Sequence, residues 1–237
     1  MERDVKLTQY GEQVEEILRA ARQLVDSGIM TRSLHGNISV KTPDADAFLL
    51  TSGGSLGNLT EADVALFDAD GNLLDGTVQP VGAEIIQMHG IVYRKRPTFS
   101  SVVHTHSPFA TGFAVAGQAI PAAYEALVRN GMNAGVPIAR YGPRGSQQSV
   151  DNIADVLTSF EGIKALLLEN HGVLAFADSA SGAVRANMVV EESAEIVLYA
   201  HGLGGPKAIP AEMIEATQAR AASFAQAGTY SSERKNG

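Results

Sequence analysis

Apolar residues recur at helical spacing in several parts of the chain. In 14–25 they stand at i, i+3, i+4 and i+7, which predicts an amphipathic helix that ends at Gly28. The same period predicts further helices over 83–94, 122–130, 149–160 and 182–201. Pro97 follows the second of these helices closely and is expected to stop it.

Short runs of β-branched and apolar residues predict strands between these helices. The runs are 48–51, 64–67 and 101–107, and Asp70-Gly71 after the second run offers a hairpin turn. The apolar run 165–169 predicts a central strand, which 170–172 interrupt and 173–176 resume. Helices and strands mix without strict βαβ alternation, so we expect an α+β or layered α/β domain rather than a Rossmann fold.

Composition narrows the class of protein. The 237 residues suit a single domain, 1–237, in which the polar stretch at about 225–237 is expected to be a frayed tail. A net charge of -8 argues against nucleic-acid binding. The chain has no cysteine, which excludes a thiolate nucleophile and cysteine-ligated metals. No long apolar run and no secretory segment are found, so we expect a cytoplasmic protein without membrane contact.

Three histidines are the strongest candidates for chemistry. His104 and His106 stand two apart in a predicted strand, so both rings point to one face and can hold one metal ion, although spacing alone leaves this open. His171 lies at the break in an apolar strand, where a buried ring is costly unless it is bonded. Alone it would be read as a core histidine bonded to backbone. Together the three match the ligand set of a catalytic zinc with an open position.

Other polar groups are candidates for substrate contact. Glu84 precedes the predicted HxH strand and suits a general acid and base or a displaceable ligand, although carboxylates favour first helical turns in any case. The glycine-rich turns 35–39 and 51–55 offer N–H groups and hydroxyls to an anion, or are ordinary loops. Arg144, in a constrained turn, suits a carboxylate or phosphate, or a surface ion pair. His89 is expected to bond internally, and 191–195 to form a solvated or subunit-facing helix face.

In this order, the motifs resemble those of the class II aldolase and adducin-type family. The matching segments are 36–39 (GNIS), 51–53 (TSG), 88–97 (MHGIVYRKRP), 102–107 (VVHTHS) and 167–173 (LLENHGV). The resemblance runs from the first helix to the helix ending near His201. It implies an α/β fold, a three-layer αβα sandwich around a mainly antiparallel central sheet. It also implies a homotetramer with its sites at subunit interfaces.

The resemblance further implies a set of site residues. His104, His106 and His171 would bind one divalent metal ion per subunit, zinc first and manganese or iron as alternatives. Glu84 would carry the proton, and Tyr124, or a residue of a neighbouring subunit, would protonate the leaving oxygen. The substrate-binding residues would be Asn37, Ser39, Thr51, Ser52 and Gly53. Arg144, in its constrained turn, is also expected to bind substrate, as a different kind of anion anchor that suits a carboxylate.

Two departures from the family pattern shape the functional expectation. Glu84 stands five residues before His89 where the family has four, and Gly82 and Ala83 replace the paired serines that bind phosphate. We therefore expect a divalent-metal-dependent carbon–carbon lyase of aldolase type. It would act on a small, non-phosphorylated hydroxy-carbonyl or carboxylate substrate through a metal-stabilised enediolate. The alternatives are a decarboxylase of a hydroxylated aromatic or oxo acid, a sugar-phosphate 4-epimerase, and a non-catalytic adducin-like module.

Overall fold

The structure, a computed structural model, describes residues 6–43 and 46–227. The strands there are β1 (Gly36–Lys41), β2 (Ala47–Thr51), β3 (Val64–Asp68), β4 (Leu73–Asp75), β5 (Ser101–Thr105), β6 (Ile138–Ala139), β7 (Ala165–Leu168) and β8 (Gly172–Ala177). The α-helices there are α1 (Gly11–Ser27), α2 (Pro80–Ala83), α3 (Ile86–Lys95), α4 (Pro108–Val115), α5 (Glu125–Arg129), α6 (Gln147–Ser159), α7 (Ala180–His201) and α8 (Ala211–Ala227). The predicted frayed tail lies outside the described residues from 228 onward, and 225–227 complete α8.

The strands form one sheet in the order β4-β3-β2-β1-β5-β8-β7-β6. Neighbouring strands pair antiparallel except the two-residue β6, which runs parallel to β7. Side chains alternate between the two faces because successive residues of a strand point in opposite directions. Leu49 packs on one face, and its neighbours Phe48 and Leu50 pack on the other.

Helices cover both faces of this sheet. Helices α1 and α7 bury their apolar sides against one face, together with α4 and α5, while α3 and α6 cover the other. These cores explain the layering, because each sheet face and each helix stripe must be removed from water. The expected three-layer αβα sandwich around a mainly antiparallel sheet is confirmed.

Several local predictions are confirmed in detail. Helix α1 ends where Gly28 adopts a left-handed conformation with φ 72° and donates its N–H to Val25, a backbone geometry that glycine adopts without strain. Strands β3 and β4 form the predicted hairpin, in which Gly71 has φ 89°.

Within the described residues, no helix has the length and apolar character needed to span a membrane.

The predicted interrupted strand at 165–176 is a hairpin instead. Strands β7 and β8 run antiparallel, and the chain reverses at Asn170, which has φ 57°. Among the described strands, only β6 lies outside β7, so β7 is next to the sheet edge rather than central. An apolar run has the same sequence pattern in one continuous strand as in the two strands of a hairpin. Asparagine is among the residues that tolerate the left-handed region, so it can form the turn. The reversal places His171 in a turn.

The helix predicted over 83–94 is divided at its start. Residues 80–83 form the short α2, and α3 begins only at Ile86. Glu84 and Ile85 therefore occupy the turn between two helices. The prediction for 122–130 is also too long, because α5 covers only Glu125–Arg129.

Candidate active site

Three histidines meet at one end of the sheet. His104 lies on β5, His106 follows that strand, and His171 lies in the β7–β8 turn. Strands β5 and β8 pair antiparallel, which brings the end of β5 beside this turn. One ring nitrogen of each histidine lies within 4.8 Å of the others. The Nε2 atoms of His104 and His106 are 3.2 Å apart, close to the roughly 3.3 Å between ligands of a tetrahedral zinc site.

Backbone contacts fix how these rings face the shared point. Nδ1–H of His104 donates to the carbonyl of Val173 at 2.8 Å, which leaves its Nε2 with a free lone pair. Gly172 makes room for the neighbouring rings, because a Cβ there would lie 2.8 Å from Cδ2 of His106 and 2.5 Å from the carbonyl oxygen of Thr105. The residues thus fit a divalent cation held by three neutral imidazoles, with further positions open to substrate.

The electrostatics keep the three rings neutral. Burial lowers the pKa of His104 well below its usual value, and His171 and His106 add to the effect. Burial, then His106 and Arg144, lower the pKa of His171 to about 4. The pKa of His106 is lowered by burial, by His35 and by Arg144. Neutral imidazole is the form that ligates metal, so the site is ready for a cation near pH 7.

A cavity of about 50 Å³ opens over the three rings. Its wall consists of His35, Gly36, Asn37, Gly53, Gly54, Val81, Ile85, His104, His106, Arg144 and His171. A cleft of about 410 Å³ adjoins it and shares four of these residues, His35, Gly53, Gly54 and Val81. A ligand at the histidines therefore has room to extend over the 53–59 loop.

Of the six residues predicted to bind substrate, the structure places Asn37, Gly53 and Arg144 on the cavity wall. The other three are not part of that wall. Ser39 is fully buried with its hydroxyl bonded inside the protein, under α3. The hydroxyl of Thr51 accepts the N–H of Ile38 at 3.2 Å, and Ser52 is buried beside it. Ser39 lies on the same face of β1 as Asn37 but two residues further along, where α3 covers it. A cross-strand bond occupies the Thr51 hydroxyl.

Glu84 is bonded to Arg144 beside the cavity. Its Oε2 lies 2.7 Å from Nε of Arg144, whose Nη2 donates to the Val81 carbonyl at 2.9 Å. The cavity wall at this place is instead Ile85, which is 3% exposed. Glu84 lies in the turn between α2 and α3, five residues before His89, and its carboxylate is beside the cavity wall rather than on it. Glu84 thus touches the site through Arg144.

Tyr124 does not join the cavity of its own chain. It precedes α5, and its hydroxyl donates to Oε1 of Glu192 at 3.2 Å. The negative charge of Glu192 is the main cause that raises the pKa of Tyr124, so the phenol stays protonated. A proton-donor function for Tyr124 therefore requires a neighbouring subunit's site.

Behind His106 lies a group of bonded polar side chains that the sequence motifs did not predict. Hydroxyls of Thr105 and Ser107 bond to Oδ1 of Asn187 on α7 at 3.1 and 3.0 Å. Glu191, one helical turn further, accepts the N–H groups of Phe109 and Ala110 at the start of α4. The expectation that Glu191 lies on a solvated or subunit-facing face is wrong, since it is 5% exposed. The i, i+4 spacing of Asn187 and Glu191 on the apolar side of α7 was the available signal.

Comparison with known proteins agrees with this geometry. The chain is 31% identical over 205 residues to 5-deoxy-D-ribulose 1-phosphate aldolase of Bacillus thuringiensis serovar kurstaki, covering 85% of this chain and 91% of that protein. It is 28% identical over 189 residues to 3-oxo-tetronate 4-phosphate decarboxylase of Escherichia coli K12, covering 77% and 84%. A solved L-fuculose 1-phosphate aldolase superposes with a TM-score of 0.80 at 28% identity, covering 89% and 96%.

These relatives are aldolases and a decarboxylase, and both kinds of enzyme are lyases. The chain is accordingly an enzyme of the lyase class. A family model described as Class II Aldolase and Adducin N-terminal domain matches residues 15–198, from α1 to α7. On the sheet topology, the three-histidine site and this match, the chain belongs to the class II aldolase and adducin N-terminal domain family.

Proposed function

We propose that the protein is a divalent-metal-dependent aldolase that cleaves a carbon–carbon bond in a small hydroxy-carbonyl compound bearing a carboxylate. The observation that carries this proposal is the wall shared by the three histidines and Arg144. A cation at the histidines and a guanidinium beside them would hold the two ends of such a substrate. Zinc is the proposed metal because three imidazoles with open positions suit it, and manganese or iron are alternatives.

A carboxylate is proposed rather than a phosphate because the pocket has few hydroxyls left. Gly82 and Ala83 stand where the family pattern has phosphate-binding serines. A Cβ at Gly82 would lie 2.4 Å from the carbonyl oxygen of Ser52, so the backbone here does not admit a serine. The named relatives act on sugar phosphates or a tetronate phosphate. The presence of Gly82 and Ala83 in place of the two serines supports a different substrate for this chain within the family.

When bound, the cation supplies a Lewis acid that polarises the substrate carbonyl and stabilises the enediolate charge. The chain supplies positioning and proton transfer. Arg144 pairs with the substrate carboxylate, while the Asn37 amide faces the reacting oxygens. Because Glu84 is bonded to Arg144, a carboxylate that engages the guanidinium releases Glu84 to take the hydroxyl proton.

A second candidate is decarboxylation of an oxo acid or hydroxylated aromatic acid. The observation that favours it is Ile85 on the cavity wall in place of a carboxylate. Loss of CO₂ removes no proton from the substrate, so it needs no general base at that position. Arg144 would then hold the substrate on the same wall.

Product analysis separates these reactions. Zinc-loaded protein is incubated with hydroxy-keto acids and their phosphorylated counterparts, and with dihydroxybenzoic and oxo acids. We expect an aldehyde from the non-phosphorylated hydroxy-keto acids. CO₂ release without aldehyde would replace the aldolase proposal by the decarboxylase. Turnover of phosphorylated compounds alone would refute the carboxylate preference. His171→Ala, which removes one ligand, is the control for metal-dependent turnover.

We also propose that the protein is a homotetramer in which Tyr124 donates a proton at the site of a neighbouring subunit. What supports this is the protonated Tyr124 hydroxyl outside its own chain's cavity. Tyr124→Phe is expected to lower kcat about a hundredfold without changing metal content. Sedimentation of the native protein tests the assembly. A monomer that turns over at the full rate would refute both statements.

A further inference from the structure

A chain of buried hydrogen bonds ends at the cavity wall. His89 on α3 is fully buried opposite β1. Its Nδ1 lies 2.7 Å from the hydroxyl of Ser39, and its Nε2 lies 2.6 Å from Oδ1 of Asn37. The Ser39 hydroxyl lies 2.6 Å from the hydroxyl of Tyr93. Every polar atom of the His89 side chain is therefore bonded inside the protein.

With Oδ1 of Asn37 facing His89, each hydrogen bond in this chain takes one direction. Oδ1 of Asn37 can only accept, so Nε2 of His89 carries the hydrogen and donates it. A neutral ring has one protonated nitrogen, so Nδ1 accepts from the Ser39 hydroxyl. Ser39 has then used its one hydrogen and accepts from Tyr93. Burial lowers the pKa of His89 to about 3, so its ring stays neutral near pH 7.

The direction determines what Asn37 offers to the cavity. Asn37 is the cross-strand partner of His104 and forms part of the same wall. Its amide oxygen is occupied by His89. Among the described residues, no protein acceptor takes a hydrogen bond from its Nδ2. The amide group thus keeps two N–H donors for a ligand.

We infer that His89 is a positioning residue, which holds the Asn37 amide so that its Nδ2 donates to substrate oxygens beside the three histidines. The inference rests on the proposed function, because it takes the cavity as the substrate site. Without the Nε2 donor, the Asn37 amide is free to rotate and to present its oxygen to an anion. That orientation repels the carboxylate or enediolate charge that the site must hold.

A matched pair of variants tests this inference. In His89→Gln the side-chain amide reaches the former Nε2 position and keeps a donor to Asn37. In His89→Asn the shorter amide reaches only the Nδ1 position near Ser39. Both variants lose the ring, so thermal unfolding should show a similar loss of stability in both.

The readout is binding of oxalate and of inorganic phosphate to the zinc-loaded proteins, measured by calorimetry. We expect His89→Asn to weaken binding about tenfold and His89→Gln to stay within about threefold of the unmodified protein. Equal weakening in the two variants would overturn the inference. In an Asn37→Ala background, His89→Asn should weaken binding no further, whereas additive losses would show that His89 does not act through Asn37.

A second readout needs no ligand. Nitrogen-15 spectra of the histidine rings at pH 7 should show His89 protonated at Nε2 only. Protonation at Nδ1 would mean a reversed hydrogen-bond chain and would overturn the inference. Anion binding with the expected variant pattern but no lyase activity would refute the proposed function alone. Lyase activity with an Nδ1-protonated His89 would refute this inference alone.

Discussion

His89 and His104 are two buried histidines on neighbouring elements, and they differ in what the protein leaves free. Burial lowers the pKa of both, so each ring is neutral near pH 7. Both nitrogens of His89 are bonded to protein groups. In His104 only Nδ1 is bonded to backbone, and Nε2 points toward the rings of His106 and His171.

The comparison shows that residue type and pKa do not identify a ligand site. A ligand site is identified instead by several ring nitrogens whose free lone pairs point to one place, because a metal needs convergent donors. The donor and the acceptor of His89 are both bonded to protein groups, Asn37 and Ser39. His104 keeps its acceptor for a ligand.

The largest expected effect is the loss of metal when one of the three convergent rings is removed. His171→Ala and His104→Ala should each release the bound ion and lower turnover at least a thousandfold, because two imidazoles hold a divalent cation poorly. Metal per protein after dialysis, measured by elemental analysis, is the readout. His89→Gln is the matched control and should keep its metal. Retention of full metal by either alanine variant would contradict a site made of these three histidines.

Glu84→Gln should have the next largest effect. It removes the carboxylate bonded to Arg144, and with it the proposed proton carrier. We expect kcat to fall about a hundredfold with metal content unchanged. Steady-state kinetics on the substrate found by product analysis provide the measurement. Glu161→Gln, at an exposed position, is the control. An unchanged kcat would leave Glu84 without a function in proton transfer and would strengthen the decarboxylase alternative.

Arg144→Lys should change binding more than chemistry. Lysine keeps the charge but loses the paired N–H groups that match a carboxylate, so KM should rise about tenfold while kcat changes little. Arg140→Lys, on the exposed surface nearby, should leave KM unchanged. Initial rates measured over a range of substrate concentrations give KM and kcat for each variant. An unaffected KM in Arg144→Lys would remove Arg144 from substrate binding.

The last prediction concerns stability rather than activity and tests the buried histidine of the comparison, His89. His89 has a folded pKa of about 3 against 6.5 for the free side chain, so the unfolded chain binds the extra proton. Stability is therefore independent of this group above about pH 6.5. Below that pH the free energy of unfolding falls as pH falls toward 3, by up to about 1.4 kcal/mol per pH unit. Urea unfolding of the metal-free protein at pH 7, 6 and 5 should give a shallower dependence for His89→Gln. Equal slopes would contradict a neutral buried ring.

Much of the architecture follows from local patterns. The α1 helix, its Gly28 end and the β3–β4 hairpin were predictable because periodicity and turn residues are short-range signals. His104, His106 and His171 were predictable as a group from spacing and from the ordered motifs, and the structure brings them together. Boundaries that depend on packing were less predictable, as the division between α2 and α3 shows.

The amino-acid sequence alone determined the layered α/β class, the family and the three histidines, because these depend on periodicity and on motifs in a fixed order. Tertiary structure decided which polar side chains face the cavity. It turned Ser39 and Thr51 inward, paired Glu84 with Arg144, and left Ile85 on the wall. The physical reason is that a side chain's direction depends on strand register, on the backbone course of a turn and on bonds to distant partners. None of these is a local property of the chain.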